Sequence, residues 1–153
     1  ELVGDVIAEA LKHIHKKSEM QKITVIQQDE LLLAKMDARL IVQVLINLLD
    51  NAIKYTPSDS QITITAKKDG NMISVSVSDN GNGIADEQKS RVFDMFYTGT
   101  NKIADSRRSI GLGLSLCKSI INAHGGEITI TDNNPHGAVF TFTLPIGEVE
   151  IHE

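Results

Sequence analysis

The stretch Asn47-Leu48-Leu49-Asp50-Asn51-Ala52-Ile53-Lys54-Tyr55 decides how the rest of the chain is read. Residues three and four apart share a helix face. Ile41, Val44, Leu45, Leu48, Leu49 and Ala52 therefore form one apolar stripe. Asn47, Asn51, Lys54 and Tyr55 line up on a different face, which also carries Gln43 and Asp50. Asparagine is a mediocre helix former, so two of them four apart ask for a reason. Two carboxamides, an ammonium and a phenol in one row suit a phosphorylated ligand and its metal. Taken alone, a solvated face on an amphipathic helix is the simpler reading.

Outward from this stretch, Asp37 is a good N-cap for a helix from Ala38 to Tyr55, and Thr56-Pro57 closes it, because the residue before proline is pushed out of the α region. Upstream, Leu2, Val3, Val6, Ile7, Ala10, Leu11 and Ile14 recur at helical spacing and predict an opening helix to about Lys17. Ile23 and Val25, then Leu31 to Leu33, read as two short strands joined around Gln27 to Glu30. Downstream, Ile62, Ile64 and Ala66 alternate with polar residues, Asp69-Gly70-Asn71 turns the chain, and Ile73, Val75 and Val77 alternate with serines. This is a hairpin with one buried face. Ala85 to Val92 reads as a short helix. From about Thr98 to Ile110 the pattern disappears, and a loop of that length in a compact domain is usually functional or mobile. Gly111-Leu112-Gly113 then opens a helix through Leu114, Cys117, Ile120 and Ile121, ended by Gly125-Gly126. Glu127 to Thr131 and Ala138 to Leu144 give two last strands around Asn133-Asn134-Pro135-His136-Gly137.

About three helices and five or more mostly antiparallel strands, paired through local turns rather than in βαβ units, make an α/β sandwich: a mixed sheet covered on one face by helices. The 153 residues suit one domain over 1–147, followed by an acidic tail over 148–153. A formal net charge of −5 with no basic tract argues against nucleic acid as a partner. The single cysteine, Cys117, excludes an internal disulfide, fits a reducing compartment and sits at core spacing with Leu114 and Ile121. No apolar run approaches the roughly 20 residues that span a bilayer, so direct membrane contact by this stretch is not expected. A chain that begins at Glu1 reads as a piece of something longer, which leaves room for an anchor elsewhere.

The remaining chemistry comes in small pieces. Asp79 ends a strand, ahead of Gly81 and Gly83, in Asp-Asn-Gly-Asn-Gly-Ile84. Glycines let backbone approach a flat ligand or a phosphate, and a buried aspartate could accept from the exocyclic amine of a purine; in isolation the run is ordinary turn chemistry. Gly111-Leu112-Gly113 before Leu114 offers backbone N–H groups and the positive end of a helix to phosphate oxygens, which alone is a weak signal. Neither the Walker A pattern nor the dinucleotide Gly-x-Gly-x-x-Gly occurs. Phe93 and Phe96 flank Asp94-Met95, at a spacing where one at least should be core. Lys102, Arg107 and Arg108 in the loop could fold over phosphate charge.

In this order the pieces resemble the ATP-binding catalytic domain of sensor histidine kinases, within the superfamily that also holds gyrase-type ATPases, the Hsp90 chaperones and MutL. Asn47 to Tyr55 matches the N box, Asp79 to Gly83 the G1 box, Phe93 to Phe96 the F box and Gly111 to Leu114 the G2 box, and Gly137 to Phe142 is similar to the closing G3 strand. The run from Val44 to Pro57 most resembles the Kdp-type potassium sensors. The resemblance implies a Bergerat-type ATP-binding fold with ATP and Mg²⁺ as cofactors. It implies Asn51 as the metal ligand, Lys54 at phosphate, Tyr55 against the nucleotide and Asp79 on the adenine amine. Gly81, Gly83, Ile84, Arg108, Gly111, Leu112, Gly113 and Leu114 would complete the nucleotide site, under an ATP lid at about 98–110. Related ATPases keep a water-activating glutamate four residues before the metal-binding asparagine; here that position is Asn47, which cannot take a proton, as a kinase would require.

The implied partners are the dimerisation and phosphoacceptor helical domain of the same kinase and a response regulator, on the cytoplasmic side of a membrane-anchored sensor. None of His13, His15, His124, His136 and His152 has the context of a phosphoacceptor histidine, so that domain is expected elsewhere. Thr98 stands where an arginine often follows the F-box aromatics, and Arg107 or Arg108 is the substitute at hand. The alternatives are a nucleotide-sensing docking module without transfer, and a related ATPase.

Overall fold

The alternating runs at 62–66, 73–77 and 140–144 send their apolar side to the same core. The computed structural model describes residues 1–14, 22–28, 32–55, 60–81, 83, 89, 93, 105–133 and 136–147, with 54–55 and 105–112 described by backbone alone. Five strands, β1 (Lys22–Gln27), β2 (Gln61–Asp69), β3 (Met72–Asp79), β4 (Ile128–Asp132) and β5 (Ala138–Pro145), form one sheet in the order β1-β2-β3-β5-β4. Among the described residues three named helices, α1 (Val3–Ile14), α2 (Ala38–Tyr55) and α3 (Asp105–Ala123), accompany it. The expected α/β sandwich is therefore present.

Ile62, Ile64 and Ala66 of β2, Ile73, Val75 and Val77 of β3 and Phe140, Phe142 and Leu144 of β5 are buried together against Ile41, Val44, Leu45, Leu48, Leu49 and Ala52 of α2. Alternation at period two puts Thr63, Thr65, Ser76 and Thr141 on the opposite side, where the Ser76 and Thr141 hydroxyls bond each other at 2.9 Å. The cap predicted for α2 forms: Asp37 Oδ1 accepts from the backbone N–H of Arg39 at 3.1 Å and of Leu40 at 3.5 Å. At the same end of the helical layer α3 closes through Gly125, at φ 81°, with the Gly126 N–H bonded to the Ile121 carbonyl at 3.0 Å.

Three expectations change. β1 and β2 are parallel, joined by α2 as a crossover, so one βαβ unit is present beside three antiparallel pairings. The second short strand expected at Leu31 to Leu33 does not form over its described residues, 32 and 33: Leu33 and Ala34 make isolated bridges to Leu2 and Ile146, and Leu31 lies outside the described residues. That segment is held from both sides by the chain start and the end of β5, each of which offers it only a single pair. The last helix begins at Asp105, ahead of Gly111. Ser106 to Ile110 contains no glycine or proline, arginine is a good helix former, and the cost of Gly111 and Gly113 inside a helix, about 1 kcal/mol each, is offset by the packing of Leu114, Cys117, Ile120 and Ile121. The expected extension of α1 past Ile14, the short helix at Ala85 to Val92 apart from Lys89, the loop from Thr98 to Ala104, and the tail over 148–153 lie outside the described residues. Among the described residues no helix is long and apolar enough to cross a membrane.

Candidate functional site

Two helices and one strand end carry the site residues that are described. On α2 the apolar stripe faces the sheet, which leaves Asn47 half-buried beside α3. Its Oδ1 accepts from Gln43 Nε2 at 3.4 Å, and its Nδ2 donates to Cys117 Sγ at 3.7 Å. The Cys117 thiol in turn donates to the Val44 carbonyl at 3.8 Å. Burial pushes that thiol up to about 12, so it is a neutral group filling the α2–α3 joint. A Cβ on Gly113 would meet Asn47 Cγ at 3.5 Å, which places the glycine of α3 directly over the asparagine of α2.

Asn51, one turn on, is 8% exposed, and its side-chain amide has no hydrogen-bond partner among the described residues. A buried amide normally finds a partner, and one without points to a ligand or ion. Among the described residues no three His, Cys, Asp or Glu side chains converge on a metal position. A hard ion that keeps water and phosphate oxygens as most of its ligands needs no such cluster, so a lone amide oxygen fits Mg²⁺.

The second group sits at the end of β3. Asp79 is 9% exposed; its Oδ1 accepts from the Gly81 N–H at 3.0 Å and from the Ala138 N–H at 3.3 Å. Its Oδ2 has no partner among the described residues. The Asp79 carbonyl accepts from Asn133 Nδ2 at 2.7 Å, and His136 Nδ1 donates to the Gly81 carbonyl at 2.9 Å. Gly137, at φ 115°, lies so close that a Cβ there would fall 2.0 Å from the Asp79 oxygen. Asn80 Oδ1 takes the Gln61 N–H at 2.8 Å and ties the same corner to the start of β2.

No hydrogen bond among the described residues joins the two groups, but the topology puts them at one end of the molecule. Ile62 pairs with Asp79, so β2 starts where β3 ends. Only 56–60 separate α2 from β2, six Cα steps that reach at most about 22 Å, which keeps the last turn of α2 near that corner. Val44 and Asn47 meet Cys117 and Gly113 in reversed order, so the early turns of α3 lie along the late turns of α2.

Of the other sequence-predicted residues, Lys54 and Tyr55 occupy the last turn of α2, and Arg108, Gly111 and Leu112 the early turns of α3, with side chains outside the described residues. Gly81 and Gly83 follow the end of β3, Gly83 at φ 76°, and Ile84 lies outside the described residues. Leu114 is buried in the core. Phe93 packs on the core, edge-on to Phe140 with ring centres 6.0 Å apart; Phe96 is not described. Gln43's bond to Asn47 and the Asn133–His136 grip on Asp79 and Gly81 were not anticipated, because Asn-Asn-Pro-His-Gly carries only turn chemistry as a string. A separate groove of about 500 Å³ between α1 and α2, floored by Val6, Val42 and Ile46, holds neither Asn51 nor Asp79.

Residues 36–148 match the family model described as histidine kinase-, DNA gyrase B-, and HSP90-like ATPase. The sensor protein KdpD of Clostridium acetobutylicum is 41% identical over 95% of this chain, which spans 16% of that protein. The nucleotide-free catalytic domain of the histidine kinase ThkA superposes with a TM-score of 0.79 at 32% identity, over 95% of this chain and 93% of that one. ThkA in complex with the response regulator protein TrrA gives a TM-score of 0.77 at 32% identity, over 96% of this chain and 41% of the kinase.

Proposed function

Since the chain belongs to the family of histidine kinase-, DNA gyrase B- and HSP90-like ATPases, as a catalytic domain of the sensor histidine kinase type, we propose that it binds Mg-ATP and delivers the γ-phosphoryl group to a histidine on a separate helical domain. The observation that carries this reading is Asp79: one carboxylate oxygen is fixed by two backbone N–H groups, and the other is unpartnered among the described residues. That second oxygen accepts from the adenine amine. Guanine presents a carbonyl at the same position, so the site favours ATP over GTP.

Around it, Tyr55 lies against the nucleotide, Lys54 and Arg108 meet phosphate charge, and Gly81, Gly83, Gly111 and Gly113 let backbone come close, with Ile84, Leu112 and Leu114 flanking. Asn51 offers its amide oxygen to Mg²⁺. When bound, the ion neutralises charge on the β- and γ-phosphates. The segment from Thr98 to Ile110, helical from Asp105, acts as the lid.

Asn47 sets the outcome of the reaction. Its amide is engaged by Gln43 and Cys117 and cannot take a proton from water. The γ-phosphoryl group therefore waits for an imidazole nitrogen: the nitrogen attacks phosphorus, the bridging P–O bond breaks, and ADP leaves with its electron pair. The acceptor belongs to the dimerisation and phosphoacceptor domain of a longer, membrane-anchored sensor of the Kdp potassium-responsive type, and its phosphate passes to a response regulator on the cytoplasmic side. Calorimetry with Mg-ATP and Mg-GTP tests the site. Preference for ATP, lost in Asp79→Asn, is expected; equal affinity for the two nucleotides in the native chain would overturn the assignment.

A further inference from the structure

We propose that the turn between β4 and β5 is a positioning device for the base-recognising carboxylate, with Asn133 and His136 as the residues that set nucleobase selectivity. The inference rests on the reading of Asp79 as the adenine acceptor.

Asp79 is the last residue of β3, and Asn80, Gly81 and Gly83 lie in irregular chain. A carboxylate at a strand end is free to move with its loop unless something else holds it. Here the holding groups come from residues 54 to 59 positions further on. Asn133 closes its own turn through a backbone bond from its N–H to the Gly137 carbonyl at 3.0 Å, and its side chain then reaches across to the Asp79 carbonyl. His136 is exposed, yet its ring is committed to the Gly81 carbonyl, so Nδ1 carries the proton in this geometry. Gly137 removes the Cβ that would otherwise part the two loops, and the next N–H, that of Ala138, goes to the carboxylate itself.

The effect is that Asp79 Oδ1 is pinned from both loops while Oδ2 keeps one direction. Neither Asn133 nor His136 needs to touch nucleotide; both act through the backbone of Asp79 and Gly81. A hydrogen bond weakens steeply as its angle departs from linear, so a small rotation of the carboxylate costs the adenine contact. It costs nothing in the contacts that every nucleoside triphosphate shares. Loosening the turn should therefore lower the ratio of ATP to GTP affinity, whereas a general loss of structure would weaken both alike.

The test is calorimetric titration of Mg-ATP and Mg-GTP into the native chain and into Asn133→Ala, His136→Ala, His136→Asn and Asp79→Asn. Each alanine variant is expected to weaken ATP about tenfold, the scale of one positioned hydrogen bond, with GTP little changed. His136→Asn should restore the ratio, since Asn Nδ2 stands where His Nδ1 does. Because His136 is exposed, its two variants carry the test even if Asn133→Ala folds poorly. Unchanged selectivity in His136→Ala, or equal weakening of both nucleotides, overturns the proposal while Asp79→Asn still loses ATP. If Asp79→Asn binds ATP normally, the base-acceptor reading falls and this inference falls with it.

Discussion

Asn47 Nδ2 donates to the sulfur of Cys117 at 3.7 Å, across 70 residues of chain and between two helices. The cysteine on α3 is inert through its burial, and the contact explains why an asparagine is tolerated in the middle of α2. It also shows what a base at this position would have to displace. Glutamate in place of Asn47 loses the donation to sulfur and sets a carboxylate against a neutral thiol. Asn47→Glu is expected to lower stability by about 1–2 kcal/mol, read as urea midpoint. If Asn47 is where a base is withheld, the same variant should raise phosphate release from ATP at least tenfold, a modest share of what general bases contribute. Release at the native rate would remove Asn47 from that role.

The thiol gives a pH prediction whose sign follows from burial. In the folded chain Cys117 is pushed from 9.0 to about 12, with burial as the main cause and the Asn47 bond opposing it. The unfolded chain releases this proton first, so its stabilising effect is complete below pH 9.0 and is lost as pH rises towards 12. Between pH 9 and pH 10 the native chain should lose about 1 kcal/mol more than Cys117→Ala, by urea unfolding at each pH. Parallel curves for the two proteins would show that the thiol is not buried as described.

Gly113 separates folding from function. A Cβ there meets Asn47 Cγ at 3.5 Å, an ordinary contact, and glycine inside a helix costs about 1 kcal/mol relative to alanine. Gly113→Ala should therefore keep or raise stability, read from the unfolding midpoint, by up to about 1 kcal/mol while weakening Mg-ATP, because the added methyl fills the joint beside the proposed nucleotide face. A lower midpoint contradicts the helix placement, and unaltered affinity takes Gly113 out of the site.

Much of this was legible in the sequence where the cause is local. The stripe from Ile41 to Ala52, the Asp37 cap and the β2–β3 hairpin with its turn at Gly70 depend on residues a few positions apart, and all three form as read. What was not legible depends on distant partners. Nothing near Lys22 to Gln27 says that its neighbour will be the parallel β2, and nothing near Leu33 says that it will be shared between the two ends of the chain. The start of α3 was misplaced because Gly111-x-Gly113 looks like an opening, although tertiary packing carries the helix through both glycines. In the site, Asp79 could be picked out by its position after alternating residues. The His124 ring, which takes the Asp37 N–H at 3.0 Å and so links the end of α3 to the cap of α2, had no local signal at all. Neither did the grip of Asn133 and His136.

The central claim is phosphoryl transfer to a histidine outside this chain. The direct measurement mixes the chain with γ-labelled ATP, Mg²⁺ and a separately prepared helical phosphoacceptor domain, and follows the label. The account predicts acid-labile, base-stable label on that domain, abolished by Asn51→Ala, whose amide is buried without a partner among the described residues. Label appearing only as inorganic phosphate, or nucleotide bound with no label on the helical domain, would contradict it.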